Sequence, residues 1–303
     1  GVSDANILVD RETGKIFIFA LWMHGVLDPE TGEWVEGLTS ESTVWNHQWA
    51  KNGSKVGVGL KESSQFMMIT SEDDGITWSE PTNLTPLLKK IEWSLLAPAP
   101  GHGITLADGT LVVPVQGRDK KGVPFSTIMS SKDHGKTWNV GRPASVNTTE
   151  SMAVELSDGT VMLNIRDNRN AEANAKINGR SIFTTTDLGE TWQEHPTSRK
   201  ALIEPLCMGS IHKHTYTVGE EEKSILLFMN PNSKTERNNL TIKVSFDDGN
   251  TWPEAYNILL DEVGGYGYSC ITSIDEGAIG VLYESSVADM TFQRISLEEL
   301  IFK

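Results

Sequence analysis

The sequence predicts an all-β fold, namely a six-bladed β-propeller of four-stranded antiparallel blades in which the first blade is incomplete. Two repeats carry this prediction. A phrase of the form S/T-x-D-x-G-x-T-W starts at residues 71, 131, 185 and 245, and a repeat of this length is typical of propellers and solenoids. A second unit, a tight turn followed by a buried strand, recurs five times in the 303 residues, which indicates five blades and an incomplete one. Helical periodicity is scarce throughout the chain.

The four phrases, called boxes below, predict structural turns rather than catalytic elements. Each box follows a short strand-like run, such as "SQFMMIT" before the first one, and passes through Asp-x-Gly. The aspartate can accept hydrogen bonds from amides of its own turn, and the glycine can adopt positive φ. The threonine then resumes a strand, and the tryptophan supplies a large apolar side chain for packing. Because four equivalent boxes in a ring cannot all face one substrate, we place the chemistry elsewhere.

The turn–strand unit predicts where a polar site lies. Seven residues after the turn, each unit reaches the end of its apolar strand. The five equivalent residues there are Leu21, Gln116, Arg166, Asn230 and Glu284. Equivalent strand ends converge on one face of a propeller, and buried polar groups are costly unless they pair with each other or with a ligand. Four polar residues at these ends therefore indicate a polar site, with a simple ion pair between Arg166 and Glu284 as the alternative.

The composition excludes several classes of protein. A formal net charge of −15 and a pI near 4.9 argue against nucleic acid or an anionic membrane as a partner. No window approaches the ~18 consecutive apolar residues of a membrane span. Cys207 and Cys270 lie far apart in apolar runs, so we expect two buried thiols, with one disulfide as the alternative. No Cys/His spacing predicts a metal site, and no cofactor is expected.

The boxes and several further phrases resemble one known family, in the family's order, along essentially the whole chain. S-x-D-x-G-x-T-W is similar to the Asp-box of the sialidases (neuraminidases). The phrases that resemble active-site segments of that family are "GVSDANILVD", "NTTESMAVELSDGTVMLNIRDNR", "NPNSKTERNNLTIKVSFDDGNTW", "GGYGYSCITS" and "GVLYESS". The chain thus resembles the six-bladed propeller domain of a bacterial exo-α-sialidase, with residues 1–303 as one domain. The resemblance implies hydrolysis of terminal sialic acids from glycoconjugates with retention.

The resemblance implies that Tyr268 is the catalytic nucleophile and that Glu150 is the base that activates it. Sialic acid carries a carboxylate on its anomeric carbon, which would repel an ionised Asp or Glu nucleophile. A tyrosine hydroxyl is neutral until it loses its proton, and sialidases are the tyrosine exception among retaining glycosidases. Since free tyrosine has a pKa near ~10, the nucleophile needs a neighbouring base such as Glu150.

The resemblance and the repeat together predict the substrate-binding residues, which are Arg166, Arg237, Glu284, Asp4, Gln116 and Asn230. The two arginines are expected to hold the substrate carboxylate, because a guanidinium fork binds a carboxylate bidentately. Glu284 is expected to orient an arginine, and Asp4 to contact hydroxyls of the sugar ring. The two amides, which come from the repeat, are expected at the glycerol or acyl arms of the sugar.

Two parts of the family pattern have no counterpart in the sequence. One is an Arg-Ile-Pro phrase with the first of three arginines, and the other is a loop with the acid/base aspartate. We therefore expect that an N-terminal segment is absent from this chain and that a complementary fragment completes the propeller. A truncated chain and a pseudoenzyme that only binds the sugar are the alternatives.

Several functions stay open beside the exo-α-sialidase. A trans-sialidase would share all of these residues. A sialic-acid-binding, lectin-like propeller without turnover and a structural propeller that binds protein belong to different classes. The expected ligands are sialylated glycans or free sialic acid. An acidic chain with few cysteines suits a secreted or periplasmic bacterial protein.

Overall fold

A computed structural model describes residues 1–28, 30–39, 42, 53–171, 178–287 and 289–301. The strands of the first half are, in chain order, β1 (Val2–Val9), β2 (Ile16–Trp22), β3 (Gln65–Ser71), β4 (Thr82–Asn83), β5 (Leu95–Pro98), β6 (Gly101–His102), β7 (Ile104–Thr105), β8 (Leu111–Arg118), β9 (Pro124–Ser131), β10 (Asn139–Val140) and β11 (Ser145–Val146). Those of the second half are β12 (Thr148–Glu155), β13 (Val161–Asp167), β14 (Ser181–Thr185), β15 (Gln193–Glu194), β16 (Ser210–Val218), β17 (Glu221–Pro231), β18 (Leu240–Ser245), β19 (Ile258–Asp261), β20 (Ser269–Asp275), β21 (Ala278–Tyr283) and β22 (Thr291–Ser296).

Helices are few and short in the described part of the chain. They are α1 (Thr85–Leu88), α2 (Leu297–Ile301) and two 3₁₀ turns, Asn168–Ala171 and Glu254–Tyr256. No helix among the described residues is long and apolar enough to cross a membrane. The predicted all-β class is therefore confirmed.

The strands form five sheets in a β-propeller arrangement, which we number as blades one to five in chain order. Their strand orders are β4-β3-β2-β1-β6, β10-β9-β8-β5, β12-β13-β14-β15, β16-β17-β18-β19 and β20-β21-β22. The prediction of six four-stranded blades is wrong for the described residues. The first two blades carry additional short strands, since β6 pairs with β1, β7 with β8 and β11 with β9, and the fifth blade has three strands.

The turn–strand units of the sequence are the second strands of the five blades. They are β2, β8, β13, β17 and β21, each bonded antiparallel to the strand before it and the strand after it. In a meander the second strand ends at the edge where the third begins. The third strand then runs to the opposite edge, and in the first four blades it enters a box there.

The boxes are structural turns, as predicted. In the first box Asp73 accepts a hydrogen bond from the amide of Thr77 at 2.9 Å and one from its hydroxyl at 2.6 Å. The Ser71 hydroxyl donates to Asp73 at 2.8 Å and accepts from the Gly75 amide at 2.9 Å. Gly75 has a φ of +83°, a left-handed value that favours glycine. The same four bonds recur in the other three boxes.

The hydrophobic cores lie between neighbouring blades. Trp138 of the second box packs edge-on against Phe17 and Phe19 of the first blade, with ring centroids 5.8 and 5.3 Å apart. Such edge-to-face pairs add to the hydrophobic gain from burial. Trp78 of the first box differs, because it is 39 % exposed. The expected packing role of the box tryptophan thus holds for Trp138 and fails for Trp78.

The segment around β6 contacts strands of several blades. β6 pairs with β1 in parallel. At Gly101, which has a φ of +127°, an added Cβ would lie 2.4 Å from the Met152 sulfur of β12. The ring of His102 lies 6.1 Å from that of His212 on β16. The first, third and fourth blades therefore meet here, and only glycine fits at position 101. Elsewhere, Cys207 and Cys270 are both free thiols, Cys207 buried and Cys270 of intermediate exposure. The expectation of two buried thiols is therefore confirmed for Cys207 and is wrong for Cys270 as regards burial.

The box aspartates should make stability depend on pH in the acid range. Hydrogen bonds from the hydroxyl and amide of Thr191 lower the pKa of Asp187 from 3.8 to about 2. Because the folded-state pKa lies below the unfolded value, the unfolded chain binds more protons between roughly pH 4 and pH 2. The contribution of Asp187 to the free energy of unfolding is complete above this pH window and is lost as the pH falls through it.

Replacing the donor should weaken that dependence. We expect Thr191→Val to show a smaller fall in melting temperature between about pH 4 and pH 2 than the parent protein, measured by calorimetry. Thr184→Val is the matched control, because the Thr184 hydroxyl makes only a 3.4 Å contact with the Gln193 carbonyl. An equal fall in all three proteins would contradict the role assigned to the box.

Candidate active site

The candidate site lies where strand ends of the third and fifth blades meet. Glu150 belongs to β12, and Arg166 is the second-last residue of β13. Tyr268 stands immediately before β20, and Glu284 immediately after β21. The site is therefore at the edge where first strands begin and second strands end. The repeat in the sequence predicts this edge for Arg166 and Glu284.

Tyr268, Glu150 and Arg166 form one hydrogen-bonded cluster. The Tyr268 hydroxyl donates a short hydrogen bond to Glu150 Oε1. Arg166 Nη1 donates to Glu150 Oε2 at 2.6 Å and to the Tyr268 hydroxyl oxygen at 3.2 Å. The Arg166 and Glu150 side chains are 19 and 12 % exposed. The structure thus brings together three residues that are up to 118 positions apart in the chain.

The environment keeps the tyrosine protonated and the arginine charged. Burial raises the pKa of Tyr268 well above 10, and the charge and hydrogen bond of Glu150 raise it further, while Arg166 opposes them. Burial lowers the pKa of Arg166, but Glu150 and Tyr268 outweigh burial and leave it raised. A neutral phenol consequently faces a carboxylate that is placed to accept its proton.

Glu284 holds the backbone of Tyr268. Its Oε2 accepts a hydrogen bond from the Tyr268 amide at 2.9 Å, and its own amide donates to the Tyr268 carbonyl at 3.0 Å. Two reciprocal bonds fix the start of β20 against the end of β21. The described hydrogen bonds of Glu284 therefore hold the backbone of Tyr268 in place. That Glu284 also orients an arginine stays a prediction.

Arg237 reaches the loop that precedes Tyr268. Its Nη1 donates to the Tyr266 carbonyl at 2.8 Å, and its Nη2 donates to the Leu206 carbonyl at 3.1 Å. The guanidinium carbon lies 5.7 Å from the centre of the Tyr268 ring, within the range of a cation–π contact. Arg237 thus lies beside the cluster, with its positive charge over the face of the tyrosine.

Asp4 of the first blade and Gln116 of the second blade are hydrogen-bonded to each other. Gln116 Nε2 donates to Asp4 Oδ1 at 3.1 Å and to the Pro98 carbonyl at 3.3 Å. Asp4 has a φ of +53° at an irregularity of β1. Gln116 on β8 is the register partner of Ser126 on β9. The Ser126 hydroxyl donates a hydrogen bond to the carbonyl of Thr149, the residue before Glu150. These contacts connect the Asp4–Gln116 pair to the third blade.

Asn230 is committed to the interior of the fourth blade. Its side-chain amide donates to the Ile203 carbonyl at 2.8 Å, and its side-chain oxygen accepts from Lys243 Nζ at 2.7 Å. The residue is fully buried. Within the described residues, it makes no hydrogen bond to Tyr268, Glu150 or Arg166. The structure therefore does not bring Asn230 into the cluster, and contact with a sugar arm stays a prediction.

Sequence reasoning missed a buried group behind the cluster, namely Arg180 and the segment Glu204-Pro205-Leu206-Cys207. Arg180 Nη1 donates to Glu204 Oε2 at 2.6 Å. The available signal was Glu204 itself, a carboxylate in the apolar run "ALIEPLCMGS". In the described part of the chain, no group of three or more His, Cys, Asp or Glu residues is placed to hold a metal ion.

Comparisons with known proteins agree on one family. The sequence pattern of the BNR repeat-like domain family matches residues 38–281. A sialidase of Bacteroides fragilis (strain YCH46) is 42% identical over 301 residues, covering 99% of this chain and 51% of that protein. A sialidase of Micromonospora viridifaciens is 31% identical over 296 residues, covering 94% of this chain and 40% of that protein.

A solved structure adds the three-dimensional match. The Hadza microbial sialidase Hz136 superposes with a TM-score of 0.86 at 42% identity, covering 99% of this chain and 53% of that one. The chain spans about half the length of these relatives. The chain therefore belongs to the BNR repeat-like domain family and is a homologue of bacterial sialidases.

Proposed function

We propose that this chain carries the catalytic centre of an exo-α-sialidase, which removes terminal sialic acids from glycoconjugates with retention through Tyr268. The observation that supports it most is the contact of a partly buried tyrosine hydroxyl with Glu150 beside Arg166. A tyrosine nucleophile suits an anomeric carbon that carries a carboxylate, as it brings no negative charge into the approach. Homology to sialidases over nearly the whole chain supports the same substrate class.

In the first half of the reaction the sugar is transferred to the protein. Arg166 and Arg237 hold the substrate carboxylate, since both carry a fixed positive charge beside Tyr268. The Tyr268 oxygen bonds to the anomeric carbon while its proton passes to Glu150. The glycosidic bond breaks as the leaving oxygen takes a proton from the acid/base aspartate, which we assign to a complementary segment. Deprotonation in concert with bond formation avoids a free phenolate, which the environment of Tyr268 disfavours.

In the second half, water releases the sugar. Water attacks the anomeric carbon and gives a proton to the same acid/base aspartate, which lost its own proton in the first half. The bond to the Tyr268 oxygen breaks, and Glu150 returns its proton to the phenol. Two inversions at one carbon give net retention. Asp4 and Gln116 are placed as a pair that suits contacts to sugar hydroxyls. We propose that the protein acts outside the bacterial cytoplasm, secreted or periplasmic, where sialylated glycans are found.

Two groups of the family pattern, the acid aspartate and a third arginine, have no counterpart among the motifs of these residues. We propose that a complementary segment supplies them and packs between the fifth and first blades. Apolar side chains are exposed there, with Ile7 and Val9 on β1 and Ile274, Leu282 and Phe292 on the fifth blade. Phe292 is 63 % exposed, which is unusual for a blade that has a neighbour.

Removing the nucleophile should abolish hydrolysis. In the intact protein, which is this chain together with the complementary segment, we expect Tyr268→Phe to lower kcat on a fluorogenic sialoside by about a thousand-fold or more. Tyr266→Phe is the control, since Tyr266 lies two residues away with an exposed side chain. If Tyr268→Phe hydrolyses at the parent rate, or if the intact parent protein shows no turnover, the proposed function is wrong.

Removing the base should change both the rate and the titration of Tyr268. We expect Glu150→Gln to lower kcat by about 10²- to 10⁴-fold. The same change removes the charge that helps to raise the pKa of Tyr268, so one tyrosine should ionise at lower pH in an ultraviolet titration. Adding Tyr268→Phe to Glu150→Gln should remove this shifted ionisation step from the titration curve. A titration unaffected by Glu150→Gln would show that the two residues are not coupled.

The exposed apolar faces can be tested on residues 1–303 alone. We expect this chain to bind a hydrophobic dye, and the double change Leu282→Ser and Phe292→Ser to weaken the dye fluorescence. The two residues are register partners on β21 and β22, so their exposed side chains lie on one face of the sheet. The exposed Leu87→Ser, on the short helix of the first blade, is the control. Dye binding that is unaffected by the double change would argue against this face as the docking surface.

A further inference from the structure

We propose that Glu204, together with Arg180, is a positioning residue that holds Arg166 and the Tyr268 loop in register through the segment 204–207. This inference rests on the proposed function, because it concerns how the same site is kept in shape. In the described part of the chain, neither residue makes a hydrogen bond to Tyr268, Glu150 or Arg166. Their effect is transmitted through backbone groups on both sides of it.

The Arg180–Glu204 ion pair is completely buried, with both side chains 0 % exposed. Moving two charges out of water is costly, and replacing such a pair by apolar residues is often neutral or stabilising. A pair of this kind is therefore weak evidence of a stabilising role. What distinguishes this pair is the set of backbone groups that it bonds, because these belong to the two halves of the candidate site.

On one side the pair holds the strand that carries Arg166. Glu204 Oε1 accepts a hydrogen bond from the Asp167 amide at 2.8 Å. Arg180 Nε donates to the Asn164 side-chain oxygen at 2.7 Å. The end of β13 is thus fixed two residues before Arg166 and one residue after it. Since a shift of β13 would carry the Arg166 guanidinium with it, these bonds set where that group lies.

On the other side the pair holds the segment that supports the Tyr268 loop. Arg180 Nη1 donates to the Cys207 carbonyl at 2.7 Å. The Cys207 sulfur lies 3.6 Å from the Gly267 carbonyl oxygen. An added Cβ on Gly267, which has a φ of +85°, would lie 3.2 Å from that sulfur. The loop before Tyr268 therefore rests closely on Cys207, and glycine at position 267 permits the approach.

Arg237 completes the connection from the segment to the tyrosine. Leu206, with a φ of +56°, presents its carbonyl to Arg237 Nη2 at 3.1 Å. Arg237 Nη1 reaches the Tyr266 carbonyl, and its guanidinium lies over the Tyr268 ring. A left-handed backbone costs free energy for a residue such as leucine, so the surrounding bonds must maintain it. The segment 204–207 consequently contacts both carboxylate-binding arginines of the proposed site, one directly and one through Asp167.

The test replaces the ion pair by apolar residues of similar volume, in the double variant Glu204→Leu/Arg180→Met of the intact protein. We expect the variant to fold with a melting temperature close to that of the parent. We expect kcat/KM on a fluorogenic sialoside to fall by about 10- to 100-fold, mainly through KM, because Arg166 loses its alignment with the substrate carboxylate.

A second readout separates positioning from general stability. The ratio of kcat/KM for the sialoside over that for its carboxyl methyl ester measures how well the arginines recognise the carboxylate. We expect this ratio to fall in the double variant and to recover partly in Glu204→Gln, which keeps an acceptor for the Asp167 amide. Lys89→Met is the control, since it removes another buried cation, bonded to the Lys55 carbonyl at 3.1 Å far from the site. Its ratio should equal that of the parent.

Each outcome decides the proposal. A folded double variant with the parent's KM and ester ratio overturns it. If the double variant does not fold, Glu204→Gln is measured alone, and an unchanged ester ratio then overturns it. If the parent protein hydrolyses no sialoside, the proposed function fails, and positioning is decided by a crystal structure of the variant. There, an Arg166–Tyr268 contact retained at 3.2 Å overturns the proposal, and a displaced Arg166 supports it.

Discussion

The contact between the neutral Tyr268 phenol and the Glu150 carboxylate is the interaction on which the remainder of the site depends. The two side chains come from different blades, the fifth and the third, and Arg166 bonds both of them. Burial holds the proton on the phenol, so in the proposed mechanism the proton passes to Glu150 only as the new bond forms. Without a fixed distance between these blades, tyrosine would be a poor nucleophile near neutral pH.

The propeller fixes the distance between the third and fifth blades through packing, and it keeps the structural turns at the edge opposite to the candidate site. A second strand ends at the edge that carries Arg166, and the antiparallel third strand runs away from it into the box. The box then closes its own turn with local hydrogen bonds, which need no partner from another blade. Packing between blades, as between Trp138 and Phe17, fixes their spacing. The polar edge is therefore left to residues that must pair with each other or with a ligand.

Local patterns in the sequence predicted the features that depend on interactions between residues close in the chain. The box turn and the polar end of β13 follow from residues a few positions apart, and the structure has both. The number of strands in each blade did not follow, because strands of two residues such as β6 have no periodicity to detect. Asn230 follows the repeat but bonds Lys243, a partner that the repeat does not reveal. The Tyr268–Glu150 pair was implied only by resemblance to a family, and Glu204 acts through Asp167 and Arg180, which no spacing brings together.

The most direct measurement is covalent trapping of the proposed nucleophile. A sialic acid with fluorine at carbons two and three should react with the intact protein and then hydrolyse slowly, because fluorine destabilises a positively charged transition state. We expect mass spectrometry of the digested protein to find the sugar on Tyr268 and no adduct in Tyr268→Phe. An adduct on Glu150, or the absence of any adduct while the sialoside is being hydrolysed, would contradict the central claim.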